Sequence, residues 1–124
     1  MHTPVFLKEV LQYLNLQPGQ NYIDATADGG GHAIAILKAI QPEGKIMAIE
    51  WDEELFKHLA DRFKKECTPF SKNYVLENAS YAEIADLVRS SKFGPVAGAL
   101  FDLGMSSFHI EDSKRGFSFR KNEE

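Results

Sequence analysis

The segment Asp24-Ala25-Thr26-Ala27-Asp28-Gly29-Gly30-Gly31-His32 joins a β-branched, aromatic run to an apolar helical pattern, and it constrains the fold more than any other stretch. Three consecutive glycines let the backbone turn sharply and approach a ligand closely, which side chains would prevent. About twenty residues further on, Glu50 closes a second apolar run, Ile46-Met47-Ala48-Ile49. Strand, glycine loop, helix, strand and terminal acid make the nucleotide half-site of a doubly wound α/β sheet. The carboxylate is placed to grip the two hydroxyls of a ribose.

The rest of the chain repeats the alternation. Val5 to Leu14 puts Leu7, Val10, Leu11 and Leu14 on one helical face, and Gln17-Pro18-Gly19 breaks it. Asn21 to Thr26 is expected as the first strand, Ala33 to Ile40 as a helix stopped by Pro42-Glu43-Gly44, and Lys45 to Ile49 as the second strand. Glu53 to Glu66 carries Leu55, Phe56, Leu59 and Phe63 at helical spacing behind Asp52, a residue type that caps helices well. Asn73 to Leu76 is expected as strand three, Tyr81 to Ser90 as a helix with Ile84, Leu87 and Val88 inward, and Pro95 to Phe101 as strand four. This order predicts a Rossmann-like α/β fold, its parallel sheet ordered 3-2-1-4 with right-handed crossovers. Strand four would then be an apolar edge, and nothing after Phe101 reads as a covering strand. Bare apolar edges invite aggregation, so the edge predicts that the chain is the front part of a larger protein.

Bulk properties narrow the class. At 124 residues the chain is one domain at most, and 44% apolar with 26% charged residues is ordinary globular composition. No apolar run approaches the roughly 20 residues of a membrane span, and no secretory signal pattern opens the sequence. Cys67 is the lone cysteine, which points to a reducing, cytoplasmic setting. A net charge of −4 argues against a general nucleic-acid coat, so any RNA contact must come from a local basic patch. His2, His32, His58 and His109 are scattered without metal-ligand spacing, so no metal site is expected.

The charges near the loop select the cofactor. Asp24, Asp28, Glu50 and Asp102 cluster in the pattern, with no Lys or Arg between Tyr22 and Leu37. A pyrophosphate among these carboxylates would be repelled by about 1–4 kcal/mol per pair. The loop also lacks the dinucleotide G-x-G-x-x-G spacing and the P-loop GK[ST] ending. S-adenosylmethionine carries no phosphate; its sulfonium, α-ammonium and ribose diol all suit carboxylates. It is the expected cofactor. The glycines alone would also make a tight turn, Asp28 would also cap the next helix, and His32 would also serve as a structural hydrogen-bonding residue.

Four segments occur in order: His2-Thr3-Pro4-Val5-Phe6-Leu7-Lys8-Glu9-Val10-Leu11, the Asp24–His32 loop, Asp102-Leu103-Gly104-Met105-Ser106-Ser107, and Arg115-Gly116-Phe117-Ser118-Phe119. Together they resemble the signature segments of the bacterial small-subunit rRNA cytosine-N4 methyltransferases, the MraW/RsmH family. The resemblance runs from His2 to about Lys121. It implies methylation of the exocyclic amine of a cytidine in the decoding region of 16S rRNA, within the small ribosomal subunit. It also implies that Gly30, Gly31 and His32 form the methionine-side loop, that Glu50 holds the ribose, and that Tyr81 lines the adenine pocket. Asp102 would be the acid after strand four, and His109 falls where the family usually has a cofactor-contacting Gln. Three positions depart from the family pattern: Asp28 stands where Gly is usual, Glu50 where Asp is usual, and His109 for Gln. Family chains continue through an inserted helical domain and further strands, so residues 1–124 are expected to be the N-terminal, cofactor-binding part of a methyltransferase domain.

The cytosine amine is a poor nucleophile, and an acceptor on its N–H restores electron density. Asp102 at the carboxyl end of strand four is the expected catalytic residue, orienting cofactor, amine or both, with Ser106 and Ser107 as further hydrogen-bonding groups. Lys114, Arg115, Arg120 and Lys121 around Phe117 and Phe119 offer phosphate contacts and stacking rings. Glu111, Asp112, Glu123 and Glu124 balance those four cations, so a plain solvated surface reads equally well. A methyltransferase of a small molecule or protein, and a cofactor-binding piece without turnover, are the alternatives. The Asp102–Ser107 and Arg115–Phe119 segments argue against the first.

Overall fold

The structure is a computed structural model that describes Gln12 and residues 14–101 with side chains, and the backbone of two further strands, 106–113 and 116–121. Its regular elements are β1 (Tyr22–Asp24), α1 (Gly31–Ala39), β2 (Ile46–Ile49), α2 (Glu53–Glu66), β3 (Tyr74–Glu77), α3 (Ile84–Ser91), β4 (Gly98–Phe101), β5 (Ser106–Ser113) and β6 (Gly116–Lys121). The expected first helix falls almost wholly outside the described residues; Leu14, at its end, is helical and buried.

The six strands form one sheet in the order β3-β2-β1-β4-β5-β6. β1 pairs in parallel with β2 and β4, and β2 pairs in parallel with β3, which is the expected 3-2-1-4 core. Strand order reverses at β1, with β2 and β3 on one side and β4 on the other, so a crevice opens beyond the carboxyl ends of these parallel strands.

Strand alternation sorts the core into two layers. Tyr22, Ile46, Ala48 and Leu100 face one side with Ile34, Ile36 and Leu37 of α1 and Leu59 and Phe63 of α2. Ile23, Met47, Ile49, Ala99 and Phe101 face the other with Ile84 and Val88 of α3 and Phe93. Both faces of the central strands are covered, which explains why β1, β2 and β4 read as continuous apolar runs. Burying each of these large side chains contributes about 1.5–3 kcal/mol.

Local chemistry sets the element ends. Asp52 caps α2, its Oδ1 accepting the Leu55 N–H at 2.9 Å. The expected helix from Tyr81 begins as a 3-10 turn, Tyr81–Glu83, before α3 proper. Ser80 and Glu83 make a reciprocal capping box there, so the first turn is tightened by its own cap. In α2, Leu59 and Phe63 are fully buried, Phe56 is partly so, and Leu55 lies on the exposed side.

One expectation is overturned. The outer edge of β4 is not bare, because β5 pairs with it antiparallel: Ala99 with Phe108, Leu100 with Ser107, Phe101 with Ser106. β6 pairs in turn with β5, with His109 opposite Arg120 and Ile110 opposite Phe119. A short return after Phe101 is enough for an antiparallel neighbour, whereas a parallel one would need a crossover. The edge argument for a longer chain therefore lapses.

Candidate functional site

The segments that follow β1, β2 and β3 converge on one open cleft of about 250 Å³, lined by Ala25, Thr26, Glu50, Trp51, Ala79, Ser80 and Tyr81. Two of the expected cofactor residues, Glu50 and Tyr81, are in this wall. No Lys or Arg is among the lining residues.

Glu50 is 8% exposed and its carboxylate is fixed from both sides. Oε1 accepts the backbone N–H of Asp28 at 2.7 Å, and Oε2 accepts that of Asp52 at 2.9 Å. A carboxylate has about four acceptor positions, so two remain for ligand hydroxyls after these bonds. The Glu50 backbone is held as firmly: its N–H donates to the Glu77 carbonyl at 2.9 Å, and its carbonyl accepts from the Ala79 N–H at 3.1 Å and Asn78 Nδ2 at 2.8 Å. Asn78 Nδ2 also lies 3.2 Å from the Trp51 carbonyl, tying the ends of β2 and β3 together.

The aromatic part of the wall is exposed. Trp51 is 73% and Tyr81 45% exposed. The Tyr81 ring meets Phe101 edge-on, with centroids 5.6 Å apart and an interplanar angle of 83°, so α3's approach turn is braced against β4.

The glycine loop stands beside the cleft rather than in its wall. Gly30, Gly31 and His32 are absent from the lining and join it through the Asp28–Glu50 bond. The loop is a chain of short bonds: Ala27 N–H to the Ile49 carbonyl at 2.9 Å, Gly30 N–H to Ala27 at 2.8 Å, and Ile34 N–H to Gly30 at 2.9 Å. Gly30 caps α1 at φ +90°, a backbone state that L side chains rarely adopt, and its hydrogen points at Leu59 Cδ1. Asp28 takes φ +52°, which Asp tolerates better than most residues, so it can stand where Gly is usual. Asp28 is exposed and does not cap α1; Gly30 is the N-cap, with no side-chain cap bond. Asp24 is buried at the end of β1 and accepts the Thr26 N–H at 3.2 Å.

Asp102 lies outside the described residues. His109, Ser106 and Ser107 lie in β5, where the backbone alone is described, and Ser106 sits in register with Phe101 at the carboxyl end of β4. Lys114 and Arg115 are likewise outside, while Phe117, Phe119, Arg120 and Lys121 fall in β6.

Sequence reasoning missed Trp51, Ser80, Asn78 and Arg62. Trp51 and Ser80 flank Glu50 and Tyr81, and Asn78 follows the end of β3, so position after a strand end was the available signal. Arg62 comes from the middle of α2, yet its Nη1 donates to the Gly29 carbonyl at 3.1 Å. The loop that has no cation in its own segment receives one from a helix 33 residues away.

Comparison with known proteins decides the family: the whole chain, residues 1–124, matches the MraW methylase family. The chain belongs to that family. Its relatives include the "Ribosomal RNA small subunit methyltransferase H" of Dictyoglomus turgidum, 43% identical over 124 residues, which covers all of this chain and 41% of the relative. The protein of the same name from Dictyoglomus thermophilum is 44% identical, covering all of this chain and 40% of that one. The chain thus spans about two fifths of the length of these relatives. Among solved structures, a SAM-dependent O-methyltransferase from Thermotoga maritima superposes with a TM-score of 0.59 at 14% identity, over 93% of this chain and 46% of that one. That likeness shows the fold the MraW family chain shares. No helix among the described residues is long and apolar enough to cross a membrane, and no group of three or more potential metal ligands occurs among them.

Proposed function

We propose that this chain is the S-adenosylmethionine-binding part of an enzyme that methylates small-subunit ribosomal RNA, at N4 of a cytidine in the decoding region. The observation that carries the cofactor assignment is Glu50, a buried carboxylate held by two backbone donors at the mouth of a cleft without lining cations. The residues fit the compound part by part. Glu50 has acceptor positions left for the ribose diol, Trp51 and Tyr81 offer faces for adenine, and Ala25 and Ala79 keep the walls low. Gly30, Gly31 and His32, at the start of α1, would hold the methionine end, where first-turn N–H groups favour a carboxylate.

When bound, the cofactor supplies a methyl group activated by its sulfonium. The chain's own contribution is positioning. Asp102 would accept a hydrogen bond from the target amine and keep electron density on nitrogen, His109 would contact the cofactor, and Ser106 and Ser107 would hold the base. A cytidine inside a helix cannot present N4 to this cleft, so extrusion of the base is part of the reading. Lys114, Arg115, Arg120 and Lys121 would meet RNA phosphates.

The test is transfer of tritiated methyl from S-adenosylmethionine to small ribosomal subunits by the complete reading frame that carries this chain, followed by nucleoside analysis. Label in N4-methylcytidine supports the reading; label elsewhere, or on protein or small molecules alone, overturns it. Asp102→Ala should lower that transfer by well over threefold, about the 10²–10⁴ range of positioned proton acceptors. The length coverage favours a second reading, in which the 124 residues bind the cofactor and turn nothing over alone. Binding without transfer by the chain would distinguish it.

A further inference from the structure

One face of α2 is built around the glycine loop. Leu59, Arg62 and Phe63 are spaced i, i+3, i+4 and so share a side of the helix. A Cβ placed on Gly30 would come within 2.9 Å of Leu59 Cδ1 and 3.8 Å of Phe63 Cε1, so the two apolar side chains press directly on the loop backbone. Between them and solvent, Arg62 Nη1 donates to the Gly29 carbonyl at 3.1 Å. The guanidinium is itself steadied one turn on, where Nε donates to Glu66 Oε2 at 2.6 Å with both side chains partly shielded. The peptide joining Gly29 to Gly30 is therefore held at both ends: its carbonyl by Arg62, its N–H by the Ala27 carbonyl at 2.8 Å.

A peptide between two glycines has little to stop it rotating. Rotated, it would swing an electronegative carbonyl from the α2 side into the space before α1. The carboxylate of an amino-acid ligand would meet that oxygen instead of the N–H groups of the first turn. We infer that Arg62 is a positioning residue for the cofactor's methionine end, acting through the Gly29 carbonyl and without touching the ligand. This inference rests on the cofactor reading above. It adds a function to a residue that sits outside the glycine loop and outside the cleft wall.

The test compares two ligands on the same chain by calorimetry. S-adenosylhomocysteine has the amino-acid end; 5′-methylthioadenosine keeps the adenosine and sulfur and lacks it. Arg62→Gln should weaken S-adenosylhomocysteine about tenfold, about 1.4 kcal/mol, and leave 5′-methylthioadenosine within twofold. Arg62→Lys, which retains a cationic donor, should recover part of the loss, and Glu66→Ala should show a smaller version of the Arg62→Gln defect. Equal weakening of both ligands together with a lowered melting temperature would mean that Arg62 only supports the fold, and would overturn the inference. Unchanged binding of both would overturn it too, leaving the cofactor reading intact. Failure of the unsubstituted chain to bind either compound would instead remove the cofactor reading and this inference with it.

Discussion

Glu50 Oε1 accepts the Asp28 N–H at 2.7 Å, so the acid that ends β2 and the glycine loop that follows β1 are one mechanical unit. The second oxygen reaches the Asp52 N–H, at the cap of α2. Three segments that meet the cleft or its rim are thus set by one side chain.

Glu50→Gln is the most informative single change. The amide offers an oxygen to one backbone N–H and presents its own N–H₂ to the other, so one buried donor faces a donor. The expected cost is about 1–3 kcal/mol of stability, with affinity for S-adenosylmethionine falling at least about tenfold. Urea denaturation and a ligand titration check both; unchanged stability would contradict the two-donor geometry.

The loop's two left-handed residues should respond unequally. Gly30→Ala adds a Cβ at φ +90° against Leu59 and should cost about 1–2 kcal/mol. Asp28→Gly keeps the N–H that Glu50 uses and relieves the backbone, so stability should stay within about 1 kcal/mol of the parent. Chemical denaturation midpoints measure both.

Asn78→Ala removes the donor shared by the Glu50 and Trp51 carbonyls. The expected loss is about 0.5–1.5 kcal/mol. Asn78→Asp should be worse, because it turns an acceptor towards two acceptors. Melting temperatures of the two variants, ranked in that order, are the check.

Cys67 is fully buried, and burial pushes its thiol above the ordinary value, with Lys38 and Arg62 pulling the other way more weakly. It should react with a disulfide reagent in the unfolded chain and be inert in the folded one at pH 8. The unfolded thiol ionises first, so its contribution to stability is whole below the unfolded pKa and is lost as pH rises through the folded one. Tyr22, raised by burial as well, adds to the same alkaline loss. Cys67→Ser should flatten part of the decline.

The central strands β1, β2 and β4 were legible because they are buried on both faces and carry apolar runs. Tyr22-Ile23, Ile46 to Ile49 and Ala99 to Phe101 need no partner to be recognised. β5 was missed because Ser106-Ser107-Phe108-His109-Ile110-Glu111-Asp112-Ser113 is mostly polar, and an edge-covering antiparallel strand needs no apolar run. Of the residues that line the cleft, Glu50 was singled out by its offset from the glycine loop and Tyr81 by family resemblance. Arg62 was not, because its contact with the Gly29 carbonyl depends on how α2 packs over Gly30, which no spacing in the chain records.

The chain's sole tryptophan, Trp51, lines the cleft beside Glu50, so its fluorescence reports occupancy directly. Titration of the chain with S-adenosylmethionine should change that emission saturably, at one ligand per chain, and NAD at the same concentrations should leave it unchanged. A saturable response to NAD with none to S-adenosylmethionine would contradict the account.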